Sequence, residues 1–238
     1  MFTTVAGLAV IALGLAIGWY GSRPLFVVPR LLATEVREPG TLRATGEFVA
    51  CRGHAVAVGE TIEAPFTGAD CLGLDYEVTE RQPFGIAWPW ADAYLDGGVA
   101  TTAFDLESDR GTIRVDPSSR RFTLDVPGEV VTVDADGGPP DRVRRFLEAR
   151  NVPDTPEWLR SIPGLGRRRF VERRIDPGGE YVVLGRIERR EGTVALGGDL
   201  VIGEGSPSKI AKARIRSAAF PLLVSLSFLI GGGWLLFA

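Results

Sequence analysis

Charge is missing from both ends of this chain. All 30 acidic and 27 basic residues of the 238-residue sequence lie between Arg23 and Arg216. Histidine is nearly absent as well, since His54 stands alone beside only two cysteines, Cys51 and Cys71. Two thiols make at most one bridge, which excludes a disulfide framework. Cys51-x-x-His54 with Cys71 supplies three zinc-type ligands, one short of a closed structural site. Asp70 could add a carboxylate, but no spacing demands it, and the chain reads as carrying free thiols near a core, an exposed histidine and no metal or cofactor. Lysine is scarce too, with Lys209 and Lys212 the only two among 27 basic residues. At a net charge of −3 there is no polybasic face that would favour nucleic acid.

What is present at the ends is apolar. Phe2 to Tyr20 is an uncharged run closing with Trp19-Tyr20, and Ser217 to Ala238 is a second, with Trp234 and Phe237 near its far end. An α-helix needs about 20 apolar residues to cross the hydrocarbon core, and interfacial aromatics mark span ends. The first run has no positive segment before it and no clear small-x-small cleavage site after it, so it reads as a retained anchor rather than a signal peptide. The expected organisation is a transmembrane helix over 1–22, a linker over 23–40 and a cytoplasmic β-rich domain over 41–205. A basic juxtamembrane helix over 206–216 and a second transmembrane helix over 217–238 complete it. Arg23, Arg30 and Arg37 follow the first span, and Lys209, Lys212, Arg214 and Arg216 precede the second. By the positive-inside rule the middle faces the cytoplasm and both termini face out, as expected of a multi-pass plasma-membrane protein. Pro24 and Pro29 predict an extended exit from the first span. Ser206-Pro207-Ser208 predicts a helix start, which would bring the basic residues to headgroup level for topological anchoring or contact with anionic lipid.

The middle alternates as strands do. Leu72, Leu74, Tyr76 and Val78 share one face of a run over Asp70–Glu80, preceded by the turn Pro65-Phe66-Thr67-Gly68. Further strands are expected over 41–50, 55–58, 101–106, 111–115, 121–126, 129–133, 168–175, 180–187 and 194–202. A hairpin is expected across Glu107-Ser108-Asp109-Arg110. A helix opens at Pro139-Pro140-Asp141 and ends at Asn151, with a short turn of helix over 156–161. Residues 83–98 read as a loop. Short strands with Gly/Pro turns predict a mainly β fold with minor α, a small antiparallel β-barrel or sandwich between two transmembrane α-helices.

No catalytic motif stands out. A thiol nucleophile would need a base, and His54 with Cys51 or Cys71 is the one option, weaker than the reading of unrelated strand residues. Gly164-Leu165-Gly166 lacks the third glycine of a dinucleotide loop and the Gly-Lys-Ser/Thr of a phosphate loop. The aromatic stretch carrying Phe84, Trp88, Trp90 and Tyr94 is either a partner-binding loop or one folded over the core, and both readings stand.

Three blocks also resemble a family. Ala64-Pro65-Phe66-Thr67-Gly68-Ala69-Asp70-Cys71 with Tyr76-Glu77-Val78 resembles the core of the GIDE, or beside-a-membrane, domain. Phe104-Asp105-Leu106 with Asp109-Arg110-Gly111-Thr112-Ile113-Arg114-Val115-Asp116-Pro117 is similar to its second block. Glu172-Arg173-Arg174-Ile175 through Gly179-Glu180-Tyr181-Val182-Val183-Leu184-Gly185 is similar to its third. The span–domain–span layout matches as well. The resemblance implies kinship with membrane ubiquitin-protein ligases of the MULAN/MAPL type, whose RING domain supplies the transfer activity. A RING needs more zinc ligands than the three Cys and His residues here, so no ligase residue carries over. The expectation is a RING-less, prokaryotic or archaeal form, its domain binding an unidentified protein partner or organising a membrane complex. Ligase activity is the alternative.

Overall fold

The computed structural model describes residues 2–42, 46–83, 91–117, 122–190 and 192–237. In chain order its elements are α1 (Phe2–Ser22), α2 (Val28–Ala33), β1 (Val36–Arg37), β2 (Phe48–Ala57), β3 (Ile62–Glu63), β4 (Asp70–Cys71), β5 (Gly73–Gln82), β6 (Ala91–Thr101), β7 (Phe104–Ser108), β8 (Gly111–Val115), β9 (Phe122–Asp125), β10 (Glu129–Val133), α3 (Asp141–Ala149), α4 (Glu157–Arg160), β11 (Arg168–Ile175), β12 (Glu180–Arg190), β13 (Thr193–Gly203) and α5 (Pro207–Phe237). Strand makes up 39% of the described residues and helix 36%, the two long terminal helices supplying most of the latter. Two compact units result: Met1–Val36 with Gly205–Ala238, and Arg37–Glu204.

In the helical unit α1 and α5 run antiparallel. Gly7 lies against Gly232, Gly14 against Phe228 and Leu229, Gly18 against Ser225, and Gly21 against Pro221. Small residues let two helix backbones approach closely where no hydrophobic effect drives them together. The fit is tight, since a Cβ on Gly18 would fall 2.6 Å from Ser225 Oγ. That hydroxyl is buried and donates to the Gly14 carbonyl at 2.7 Å. The outward faces are apolar and exposed, with Leu8, Leu15, Leu223 and Ile230 among them. The exit from α1 departs from the sequence expectation. Residues Arg23–Val27 form a 3-10 turn and Val28–Ala33 a helix, each with its proline in the first turn, where the missing N–H has no partner to lose.

In the other unit, β2 pairs with β12 and β7, β12 with β13, β13 with β8, and β8 with β7. The ring therefore closes on itself: of barrel and sandwich, this sheet is a barrel. Around this ring pairing is antiparallel except where β13 meets β8, and β9 also lies parallel against β13. The expected strands over 41–50 and 55–58 are one strand, β2, at least from Phe48 on, and residues 43–45 lie outside the described set. Phe104, Leu106, Val183, Leu196 and Ile202 fill the barrel.

The second sheet, β10-β11-β5-β6, is antiparallel throughout. Phe66 and α3 cover one face of it. Phe66, Tyr76, Phe146 and Phe170 meet edge to face with centroids 5.1–5.8 Å apart, the arrangement that ring quadrupoles favour. Here the run over Asp70–Glu80 corrects the sequence reading, because it breaks at Leu72 into β4 and β5. Leu72 donates its N–H to the Ile175 carbonyl at 2.8 Å and packs into the barrel core, whereas Cys71 and Leu74 pack into the second core. One residue thus leaves the face its alternation assigns it.

Candidate functional site

β5 and β11 face each other in register, pairing Leu74 with Arg174, Tyr76 with Glu172, Val78 with Phe170 and Glu80 with Arg168. Side chains two apart on a strand share a face, so these all belong to the covered side of the sheet. The aromatic core therefore has buried charge at each end.

At the first end the Glu80 and Arg168 side chains are 2% and 10% exposed, and Arg168 Nε donates to Glu80 Oε1 at 2.9 Å. Thr155 Oγ1 donates to the same oxygen at 2.7 Å, and Gln82 Nε2 to Oε2 at 2.8 Å. Arg168 Nη2 donates to the Pro153 carbonyl. Burial pushes the Glu80 carboxyl up, but the bonds from Thr155, Gln82 and Arg168 outweigh it and hold the group below its ordinary value. A cavity of about 310 Å³ opens beside this pair, lined by Val133, Leu147, Phe170, Arg144, Arg160 and Arg168, with Asp154 and Glu148 among the remaining groups.

At the second end Glu172, 1% exposed, accepts from Thr67 Oγ1 at 2.5 Å, the Phe66 amide at 2.8 Å and Arg174 Nη1 at 2.9 Å. Burial raises its carboxyl, and the bonds from Thr67, Arg174 and the Phe66 and Thr67 amides together lower it further than burial lifts it. Arg174 also reaches Glu129 and Asp176, and these partners, Glu129 first, hold its guanidinium above the usual range. The turn Pro65–Gly68 is thus pinned by a carboxylate from a strand more than a hundred residues away. Gly68 completes that turn at φ +77°, a conformation glycine adopts without strain.

The thiols and the histidine are kept apart. Cys51 lies inside the barrel and burial pushes its thiol up to about 12. Cys71 lies in the second core, donates to the Ile62 carbonyl at 3.2 Å, and is pushed up to about 11, again chiefly by burial. His54, three residues from Cys51 on β2, is exposed, its Nδ1 3.2 Å from the Gly178 carbonyl oxygen. A protonated, buried thiol is not a nucleophile, and neither cysteine has this imidazole as a base. No group of His, Cys, Asp and Glu able to hold a metal occurs among the described residues.

Tyr94 does not sit in a loop. It lies on β6, 65% exposed, because residues 91–101 pair with β5 as the outer strand of the second sheet. The alternation there is hidden by Gly97-Gly98 and by a bulge, where Val78 and Thr79 face Asp96 and Tyr94 across Leu95. Phe84, Trp88 and Trp90 lie outside the described residues. Gly164-Leu165-Gly166 is a structural turn, with Leu165 buried and the Gly166 amide bonded to the Arg81 carbonyl at 2.8 Å. Of the remaining family-motif positions, Gly111 turns the β7–β8 hairpin and the Pro117 carbonyl accepts from Thr101. The Gly179 carbonyl accepts from the Ala55 amide, and Glu180 stands exposed opposite His54. At Gly185 a Cβ would fall 2.4 Å from Leu200 Cδ2, so the close approach of β12 and β13 excludes a side chain.

Sequence reasoning gives none of Glu80, Arg168, Glu172 and Arg174 a place in the core. Arg168 reads with Arg167 and Arg169 as a solvated face, which its burial against Glu80 corrects, and Glu172 and Arg174 enter only as part of the third family-like block. The signal was their parity: Glu80 falls on the same alternation as Leu74, Tyr76 and Val78, and the other three on that of Phe170. A charge in core register announces a buried pair. No known family model, curated protein or solved structure matches the chain.

Proposed function

We propose that this is an integral protein of the plasma membrane whose middle domain lies in the cytoplasm and binds a protein partner or organises a membrane complex. The observation that carries the membrane reading is the pair of 31-residue apolar helical stretches, Thr3–Ala33 and Pro207–Phe237, only 17% and 11% buried over their most apolar windows. A soluble protein would cover such surface. The orientation follows from charge. Antiparallel packing of α1 and α5 brings the two uncharged termini to one end of the hairpin and Arg23, Arg30, Lys209, Lys212, Arg214 and Arg216 to the other. The basic end faces the cytoplasm.

Binding rather than catalysis is favoured by how the domain uses its chemistry. Its buried carboxylates are saturated by structural donors, and its thiols are buried and protonated. β6 offers a partner an outer strand with Tyr94 65% and Val99 56% exposed, leading back toward the aromatic residues Phe84, Trp88 and Trp90. An extended segment adding to such an edge gains main-chain hydrogen bonds. The GIDE-type reading rests on the three sequence blocks; in the fold Glu172 of the third block bonds to Phe66 and Thr67 of the first.

Capture from native membranes tests the binding role, comparing wild type with Tyr94→Asp/Val99→Asp and with Trp88→Ala/Trp90→Ala. Loss of the same partner from the variants is expected, and an unchanged set would remove β6 and the aromatic stretch from consideration. Single cysteines placed at either terminus should label only from outside the cell. Ubiquitin transfer dependent on this chain, with a conjugating enzyme and no other ligase, would replace the binding reading by the ligase one.

A further inference from the structure

The first three turns of α5 carry more than a topology signal. Lys209, Lys212 and Arg216 follow each other at three and four residues, so they share one helix face. With Ala213 and Ser217 they line an open cleft of about 450 Å³. All five are exposed, while Pro207, Ile210 and Ala211 on the opposite side are buried. None of the three basic side chains has an acidic partner among the described residues, and no Asp or Glu occurs anywhere from Gly205 to Ala238. The chain's only two lysines are both here.

The same face changes character one turn further on. Phe220 and Leu223 continue it, 68% and 63% exposed, within the uncharged run that begins at Ser217. A cationic cleft directly above exposed apolar side chains is complementary to an amphiphile, which separates a lipid from a free phosphate. At about 1.5 Å rise per residue, Lys209 stands roughly 10 Å above Arg216 along the axis, comparable to the headgroup layer. Arg216 would meet one phosphate at the hydrocarbon boundary, and Lys212 and Lys209, on long flexible stems, would reach down to a second phosphate at the same depth.

The geometry points to a binding site on α5 for an anionic phospholipid whose headgroup carries two phosphates, held by Lys209, Lys212 and Arg216 with its acyl chains along Phe220 and Leu223. This rests on the membrane reading above. Each basic residue near an anionic surface contributes about fivefold in affinity, so the three together select a doubly charged headgroup over a singly charged one.

The test uses the full chain reconstituted in phosphatidylcholine nanodiscs doped with either diphosphatidylglycerol or phosphatidylglycerol, with retained lipid read by native mass spectrometry. Wild type should retain the two-phosphate lipid in preference, by tenfold or more. Lys209→Gln/Lys212→Gln/Arg216→Gln should lose that preference, whereas Arg23→Gln/Arg30→Gln should keep it. Equal retention by wild type and the triple variant overturns the site, as does displacement of the lipid by millimolar inorganic pyrophosphate. Failure of the chain to enter the nanodisc, or its release from native membranes by alkaline carbonate, would instead overturn the membrane reading.

Discussion

Glu80 and Arg168 stand directly opposite each other on antiparallel neighbours, both buried, with Arg168 Nε 2.9 Å from Glu80 Oε1. A charge taken out of water is tolerated only while its partner remains. Glu80→Gln or Arg168→Met should therefore destabilise the domain by about 3–5 kcal/mol. The double variant Glu80→Met/Arg168→Met should lose less than either single change. Thermal unfolding of the full chain in detergent measures this, and a double variant no better than the worse single one would sink the argument.

Acid should weaken the domain in a defined window. Glu80 and Glu172 both have folded pKa values held below the ordinary 4.5. Such groups contribute stability that is fully present above their unfolded value and is lost as pH falls through the folded one. The melting temperature should be flat above about pH 5 in this respect and fall progressively below 4.5. Glu172→Gln should flatten part of that fall, and an acid profile identical to wild type would remove Glu172 as a source of it.

The cysteines should be silent in the folded protein. With thiol pKa values of about 12 and 11, Cys51 and Cys71 should resist alkylation by iodoacetamide at neutral pH and react only on unfolding. Rapid labelling of native Cys71, suppressed by His54→Ala, would restore the thiol-nucleophile reading.

The helical hairpin should be sensitive to size at its glycines. Gly18→Leu places atoms where Ser225 Oγ already lies, and should cost about 1–3 kcal/mol or separate the helices. Ser225→Ala should cost less, about 0.6–1.7 kcal/mol, because it removes only one hydrogen bond across the pair. Disulfide trapping between cysteines introduced at Gly7 and Gly232 reports whether the helices still meet, and efficient trapping in Gly18→Leu would show that the groove tolerates bulk.

Much of the fold was legible along the chain. The β7–β8 hairpin, α3, α4, β11, β12 and β13 lie where alternation, proline and glycine put them. β6 was not, because Gly97-Gly98 and a bulge at Leu95 disguise its period. The partners of strands were not legible either. Arg168–Ile175 and Glu180–Ile187 follow each other across Asp176-Pro177-Gly178-Gly179 as a hairpin would, yet β11 joins the second sheet and β12 the barrel. Local turn chemistry speaks to a reversal of direction, not to which edge the next strand meets.

The sequence by itself determined where the apolar ends lie, where basic residues gather, and that a β-rich middle stands between them. These depend on composition and period, which are properties of adjacent residues. Only the tertiary structure decided that Cys51, His54 and Cys71 never meet, and that Glu172 reaches back to the Phe66–Thr67 turn. Both facts depend on pairing between segments distant in the chain, where burial of apolar faces in one register sets which polar groups are brought together.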